Sequence, residues 1–294
     1  MTDEGSKKSW SIPEKLILPV IHSAIREDMG DRGDLTSLST LTDEMTGQGQ
    51  LIAKSTGILA GVPLLNLLFQ TIDSSVQVEI LTEDGQQVQA GVLIARLKGK
   101  MRSILSAERT ALNFIQRLSG IATMTRQFVH QIRHTNVKIL DTRKTTPGMR
   151  LLEKYAVLQG GGFNHRMGLY DMILIKDNHI DMNGGIGPAV RRCLNYLKSH
   201  QLQVPIEVET RTLDEVRLAL DFPIQRIMLD NMSIETIRKA VRIIDGQVET
   251  EASGNIGFDN IVQIAETGVD FISIGSLTHS ARALDMSLII LNHF

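Results

Sequence analysis

Between Ile139 and His179 the chain reads ILDTRKTTPGMRLLEKYAVLQGGGFNHRMGLYDMILIKDNH, and this stretch carries its densest chemistry. Arg143, Lys144, His165, Arg166 and Lys176 fall around the ends of two apolar runs, 137–140 and 172–175. Residues 141–180 hold six Lys/Arg against four Asp/Glu, although the whole chain carries a formal charge of -2. Cations gathered at strand ends in a slightly acidic protein point to a pocket for a small anion with several charges. Long polyanions want a broad basic surface and a high pI instead. Arginine forks and lysine point charges suit carboxylates and pyrophosphate. Taken singly, each of these cations would do as a surface residue; a surface role does not account for all five together.

Two later turns have another character. VETEASGNIGFDN sets Ser253, Gly254 and Asn255 after one apolar run, and FISIGSLTHS sets Gly275 and Ser276 after the next. Glycine lets backbone N–H groups approach an anion, and a helix N-terminus would add a favourable dipole. Ordinary turn chemistry also uses Gly and Ser, but here the turns follow consecutive strands, where barrels frequently hold phosphate. Glu209 and Asp230 close two further runs, IEVE and IMLD. They could hold ribose hydroxyls or Mg²⁺, which takes hard oxygen ligands, or one could pair with Arg143 or Lys176. HExxH and GxSxG are both absent, which removes the zinc-protease and nucleophile-elbow signals.

These residues need a scaffold that brings strand ends together. From about residue 137, apolar runs end at Asp141, Lys176, Glu209, Asp230, Glu251 and Gly275, the last three intervals being 21, 21 and 24 residues. Helical patterns over Leu213–Leu220, Ile234–Ile244 and Asp259–Thr267 alternate with them. Runs buried on both faces predict parallel strands, and six or seven units fit an α/β barrel better than an open sheet. No GxGxxG follows the first strand. In such a barrel the residue past each strand faces the active-site mouth. Gly160, Gly161 and Gly162 predict a flexible or tightly turned loop before His165 and Arg166.

The texture changes near residue 115. Before it come a helix-like opening, Glu14–Arg26, and alternating runs at Gln48–Ala53, Val76–Leu81 and Gln87–Leu97. Asp84–Gly99 reads as a curled hairpin, like half of a biotinyl or lipoyl carrier, with Lys54 the one loose attachment candidate. Met101–Leu118 is an amphipathic helix on which Arg102, Arg109 and Gln116 share a polar face, by pattern a solvated one. The expected division is 1–115 with a C-terminal helix over 281–294, and 116–280.

With 294 residues, 42% hydrophobic and 22% charged, the composition is that of an ordinary globular protein. A pI near 6.5 argues against nucleic acid as a partner, and no basic run would bind a membrane surface. One cysteine, Cys193, excludes an internal disulfide and fits a reducing cytoplasm. The first residues are polar, carry no secretory pattern, and residues 1–10 are expected to be disordered.

The motifs EDMGDRGDLTS, AERTALNFIQRLSGIAT, DTRKTTPGMR, GGGFNHRMGLYDMILIKDNH, EVET, LDN, EASGNI and SIGSLTHS, in this order, resemble the quinolinate phosphoribosyltransferase family over nearly the whole chain. The resemblance implies an N-terminal α/β sandwich domain and an incomplete α/β barrel. It implies a homodimer, which can assemble into hexamers, with one subunit's N-terminal part covering the partner's barrel. Its substrates would be quinolinate and phosphoribosyl pyrophosphate, with Mg²⁺. Arg143, His165 and Arg166 of the matching motifs, with Thr142 beside them, would bind quinolinate, and Arg109 would reach in from the partner. Lys144 and Lys176 would lie between quinolinate and pyrophosphate. Glu209 and Asp230 would hold ribose and Mg²⁺; Ser253, Gly254, Asn255, Gly275 and Ser276 would cradle the 5′-phosphate. Rival readings are a same-fold enzyme for nicotinate or another acceptor, a carrier protein, and a phosphate-binding barrel isomerase.

Overall fold

The computed structural model describes residues 13–291, so the disorder expected over 1–10 lies outside the described residues. The chain opens with α1 (Glu14–Met29) and α2 (Leu35–Thr40), the latter capped by Asp34, whose side chain accepts the Ser37 N–H. There follow β1 (Thr46–Ala53), β2 (Gly57–Ile58), α3 (Leu64–Ile72), β3 (Gln77–Ile80), β4 (Gln87–Val88), β5 (Leu93–Lys100) and the long α4 (Met101–Gln131). The βα part comprises β6 (Lys138–Leu140), α5 (Arg150–Gln159), β7 (Ile173–Ile175), α6 (Asp177–Met182), α7 (Ile186–Ser199), β8 (Ile206–Thr210) and α8 (Leu213–Leu220). It continues through β9 (Arg226–Asp230), α9 (Ile234–Ile244), β10 (Glu249–Ser253), α10 (Ile261–Ala265), β11 (Phe271–Ser273) and α11 (Ser276–His279), and β12 (Met286–Leu291) closes the described chain.

Six parallel strands run in the order β6-β11-β10-β9-β8-β7. Their outward residues, such as Val208, Ile227 and Ile272, are fully buried under the helices. A seventh position is reduced to one parallel bridge, Leu140 to Phe163. No ladder among the described residues joins that bridge to β7, so the barrel wall is incomplete there. Arg166 leans across the same gap, its Nη1 donating to the Met172 carbonyl at 3.1 Å.

The first part forms a four-stranded antiparallel sheet, β12-β1-β5-β3, against α4. The C-terminal helix expected over 281–294 is therefore corrected: residues 281–285 have no regular structure, and 286–291 form a strand along β1, from Gln48–Leu291 to Ala53–Met286. SLIIL fits a pleated, half-buried edge, and β1 would otherwise leave that edge unpaired. The returning chain crosses α4 at Gly120, where a Cβ would lie 2.0 Å from the Arg282 carbonyl oxygen. The Asp84–Gly99 hairpin is also corrected, since β4 pairs with β2 while β5 pairs with β1 and β3. Asp84 instead accepts the N–H groups of Gly61 and Val62, each at 2.9 Å, and the Tyr155 hydroxyl from the barrel. Lys54 is exposed but sits on no hairpin tip, which removes the footing of the carrier reading.

Of the three α4 residues expected on a solvated face, Arg109 alone is exposed in the single chain. Arg102 donates to the Leu41 carbonyl, and Gln116 Nε2 donates to the Met286 carbonyl of β12 at 2.9 Å.

Candidate active site

All but one of the residues singled out from the sequence line a single cavity of about 840 Å³ at the C-terminal ends of the barrel strands. Thr142, Arg143 and Lys144 follow β6; His165 and Arg166 follow the Phe163 bridge; Lys176 follows β7. Glu209 is the penultimate residue of β8, and Asp230 and Ser253 are the last of β9 and β10. Gly254 and Asn255 turn after β10, and Gly275 and Ser276 follow β11. Arg109 does not line it; it stands exposed on α4.

The cationic end is built on a buried second layer that pattern reading missed. Asp141 and Lys154, neither exposed at all, form an ion pair, and both hold the backbone of His165. Asp141 Oδ1 accepts the His165 N–H at 2.9 Å, and Lys154 Nζ donates to the His165 carbonyl at 3.0 Å. Burial pushes the Asp141 carboxyl up to about 6, against the pull of Lys154. The glycines before this loop are packed rather than flexible. A Cβ on Gly160 would lie 2.5 Å from the Ala122 carbonyl of α4, and only Gly161 has a positive φ, 91°.

A second pin fixes the Arg143–Lys144 loop. Glu153, fully buried in α5, accepts from the Thr146 N–H at 3.1 Å and hydroxyl at 2.8 Å and pairs with Arg117 of α4 at 2.9 Å. Arg117 also donates to the Thr278 carbonyl, while the Thr278 hydroxyl donates to the Lys144 carbonyl at 2.8 Å. So held, Arg143 and Arg166 face one another. Burial, then the nearby Arg143 charge, lowers the Arg166 pKa, and Arg143 Nε is buried with no partner among the described residues. Two guanidinium groups lining one cavity, with the Glu207 and Asp171 charges reaching Arg166 as well, form an anion site.

Beneath them lies the His165 ring. Its Nδ1 accepts the Arg166 N–H at 2.7 Å, and its Nε2 lies 3.0 Å from Glu207 and 3.4 Å from Glu251. Burial disfavours charge on the ring and the two carboxylates favour it, with the net pull upward, but the Arg166 N–H held at Nδ1 opposes that gain, because a charged ring has no bare nitrogen left to accept it. Burial and the Glu251 charge push Glu207 up to about 7. A second ring proton would have to displace the Arg166 N–H, so the shared proton sits at Nε2, and the three groups titrate as one unit. These ligand atoms fall within 4.8 Å of one another, as a metal trio would. Arg226 already occupies Glu251 at 3.0 Å, which argues against a cation there.

The acids at the mouth differ. Glu209, only 5% exposed, has the Lys176 ammonium and the Asp177 N–H each 3.4 Å away, so the ion pair weighed for one of these acids is formed. Asp230 Oδ2 accepts from Asn231 Nδ2 at 2.7 Å. As neighbouring strand ends they offer hard carboxylate oxygens, the donor type that Mg²⁺ takes.

At the opposite end the turn after β10 is shaped by backbone. Gly254 has φ 92°, Asn255 and Asn231 each 52°. Asn255 Nδ2 donates to Asn231 Oδ1 at 3.1 Å, and the Asn231 N–H donates to the Ser253 carbonyl at 2.9 Å. Gly275 leaves room for Lys144, whose Cδ would lie 3.0 Å from an added Cβ. The expected helix dipole is weak here: α11 has four residues and α10 begins six residues past Asn255. Any phosphate held at this end therefore relies on local N–H and hydroxyl groups.

Comparison with known proteins bears on the whole chain. The family model described as "Quinolinate phosphoribosyl transferase, N-terminal domain" matches residues 34–119, and its C-terminal counterpart matches residues 121–289. The chloroplastic nicotinate-nucleotide pyrophosphorylase (carboxylating) of Oryza sativa subsp. japonica is 46% identical over 284 residues, covering 92% of this chain and 76% of its own. The probable nicotinate-nucleotide pyrophosphorylase (carboxylating) of Bacillus subtilis is 44% identical over 262 residues, 89% of each chain. The solved structure of the nicotinate-nucleotide pyrophosphorylase from Francisella tularensis matches with TM-score 0.90 at 43% identity, covering 96% of this chain and 98% of that one.

Proposed function

The chain belongs to the quinolinate phosphoribosyl transferase family, and on that premise we propose how its barrel mouth divides the work. The enzyme transfers the phosphoribosyl group of phosphoribosyl pyrophosphate to quinolinate with loss of CO₂, giving nicotinate mononucleotide and pyrophosphate for NAD biosynthesis. The observation that carries the residue assignment is that Arg143 and Arg166 line the same cavity above the His165 loop, near enough for the one charge to act on the other. Two carboxylates on adjacent ring carbons match two convergent guanidinium groups. Nicotinate, with one carboxylate, would leave one of them unpaired.

Arg143, Arg166 and the His165 loop bind quinolinate beside Thr142. Lys144 and Lys176 stand between it and the pyrophosphate. Ser253, Gly254, Asn255, Gly275 and Ser276 receive the 5′-phosphate. Breaking the C1′–O bond builds negative charge on the leaving pyrophosphate, and the two lysines are fixed where that charge develops. Glu209 and Asp230 face the ribose and favour its developing positive charge; they would also hold Mg²⁺, which when bound neutralises the diphosphate. The pyridine nitrogen is the nucleophile, so positioning replaces a nucleophilic side chain. Once that nitrogen is quaternary, its positive charge stabilises the electron pair left on C2 as the 2-carboxylate departs as CO₂, and C2 then takes a proton from water.

No helix among the described residues is long and apolar enough to cross a membrane. The single cysteine, Cys193, suits a reducing compartment, and on that ground we place the enzyme in the cytoplasm. We further assign it a homodimer in which Arg109, exposed in the single chain, completes the partner's anion site. Mixed Arg109→Ala and Arg143→Ala proteins, each inactive, should recover about a quarter of full activity through heterodimers with one intact site. No recovery after verified subunit exchange removes the action in trans.

The decisive assay supplies Mg²⁺ and phosphoribosyl pyrophosphate with quinolinate in one reaction and nicotinate in another. Nicotinate mononucleotide and CO₂ from quinolinate alone support the assignment. Turnover of nicotinate alone overturns the dicarboxylate pocket while leaving the phosphate end intact.

A further inference from the structure

Alternation along a strand sends every second side chain into the barrel. In β8 it sends Glu207 inward as well as Glu209, and in β10 it sends Glu251 inward as well as Ser253. Glu209 and Ser253 reach the mouth, so Glu207 and Glu251 lie one step deeper. β9 runs between their strands, and the two carboxylates meet over it inside the barrel. Neither is exposed at all. Glu251 has Arg226 as a partner at 3.0 Å, but Glu207 has no hydrogen-bond partner for either oxygen among the described residues. It faces His165 Nε2 at 3.0 Å, itself buried without a hydrogen-bond partner among the described residues, and the Arg226 charge acts on it as well.

A dry carboxylate with no partner is unfavourable, so a fold that keeps one needs the group it faces. Here that group is a ring whose other nitrogen holds the backbone N–H of Arg166. We propose that Glu207 and Glu251 are positioning residues for the pyridine dicarboxylate: they lock the His165 ring, and the ring locks Arg166 at the closed end of the mouth. The inference rests on the dicarboxylate reading above. Two clamps then act on one loop, Asp141 and Lys154 on the His165 backbone and the glutamates on its ring. With Nδ1 on the Arg166 N–H and Nε2 turned inward to the two glutamates, the guanidinium of Arg166, rather than imidazole, makes the charged contact with substrate.

The test is a double-substitution cycle read as separate KM values for quinolinate and phosphoribosyl pyrophosphate. Glu207→Leu should raise the quinolinate KM roughly tenfold to a hundredfold and change the other by no more than about twofold. Glu207→Gln, which still accepts from Nε2–H, should restore most of the loss. In a His165→Phe background, Glu207→Leu should add no more than about a twofold effect. Additive effects in the two backgrounds, or equal changes in both KM values, overturn the proposal. A measurement on the unsubstituted enzyme does not depend on any variant folding. ¹⁵N spectra of its histidines, with His165 assigned by its loss in His165→Phe, should show protonated Nε2 and bare Nδ1 at neutral pH. Protonated Nδ1 overturns the proposal. Failure of the dicarboxylate reading itself looks different, as an unsubstituted enzyme that does not turn over quinolinate.

Discussion

At the end of the mouth next to β10 and β11, the cavity is shaped by backbone in the left-handed region at Gly254 and Asn255 and by the missing side chain of Gly275. At the end next to β6 and β7 it is shaped by long cationic side chains, each braced by charges one layer deeper. Asp141 and Lys154 brace the His165 backbone, Glu153 and Arg117 brace the 143–146 loop, and Glu207 and Glu251 brace the His165 ring. The contrast follows from the ligands. A phosphate is met by N–H groups that cannot rotate away, so turn geometry suffices. Two carboxylates on a flat ring need guanidinium groups at set angles, and a long side chain holds its angle only if its base is fixed. The first end should therefore be sensitive to volume, and the second to charge far from the substrate.

The largest effect should come from the deepest charge. Lys154→Met keeps the bulk but leaves Asp141 bare in the barrel, and breaking a buried pair this way costs about 3–5 kcal/mol. Urea unfolding across pH measures it. Asp141 already holds its proton more tightly folded than unfolded, so its contribution to stability is full below its ordinary value near 3.8 and lost as pH rises through about 6. Removing Lys154 raises that pKa further. The deficit of the variant should thus be largest well above pH 6 and shrink as acid protonates Asp141. A deficit that does not vary with pH would mean that packing, not charge, holds this layer.

Next in size is Arg166→Ala. A charge-assisted pair contributes roughly 1.5–3 kcal/mol, so quinolinate kcat/KM should fall on the order of a hundredfold. The KM for phosphoribosyl pyrophosphate should stay within about twofold of its original value. Equal losses for both substrates would erase the distinction between the two ends.

The outer layer of this site was legible in the sequence, and the inner layer was not. Strand ends at 21- and 24-residue spacing announced the barrel, and α8 and α9 fall on the expected ranges Leu213–Leu220 and Ile234–Ile244. The missing layer was disguised in two ways. Asp141 and Glu251 show in the sequence only as ends of apolar runs, and Glu207 stands two residues before Glu209, a spacing that marks one strand face but not a buried ion cluster. Glu153 and Lys154 lie within an ordinary helix pattern, where adjacent charges suggest a solvated face; both are fully buried. Pattern reports what a segment can bury alone, and these charges are buried only because partners arrive from distant strands and from α4. The C-terminal strand escaped for the same reason, since SLIIL becomes a strand only beside β1.

Gly254→Ala should produce the smallest of the three effects and is the most direct probe of the backbone-built end. Alanine at φ 92° is strained by about 1–2 kcal/mol before any contact is counted. The added Cβ would also lie 2.2 Å from Asn231 Oδ1 and 3.0 Å from the Asn231 backbone nitrogen. Asn231 cannot simply swing aside, because that oxygen accepts from Asn255 Nδ2 and the neighbouring N–H holds the Ser253 carbonyl. The turn must shift as a unit, carrying Ser253 and Asn255 with it. The KM for phosphoribosyl pyrophosphate should rise roughly tenfold, while quinolinate binding, whose side chains are braced from a separate layer, should change by less than about twofold. If quinolinate binding weakened equally, the two ends would be one mechanical unit, and the natural route would be Gly275, against which Lys144 packs.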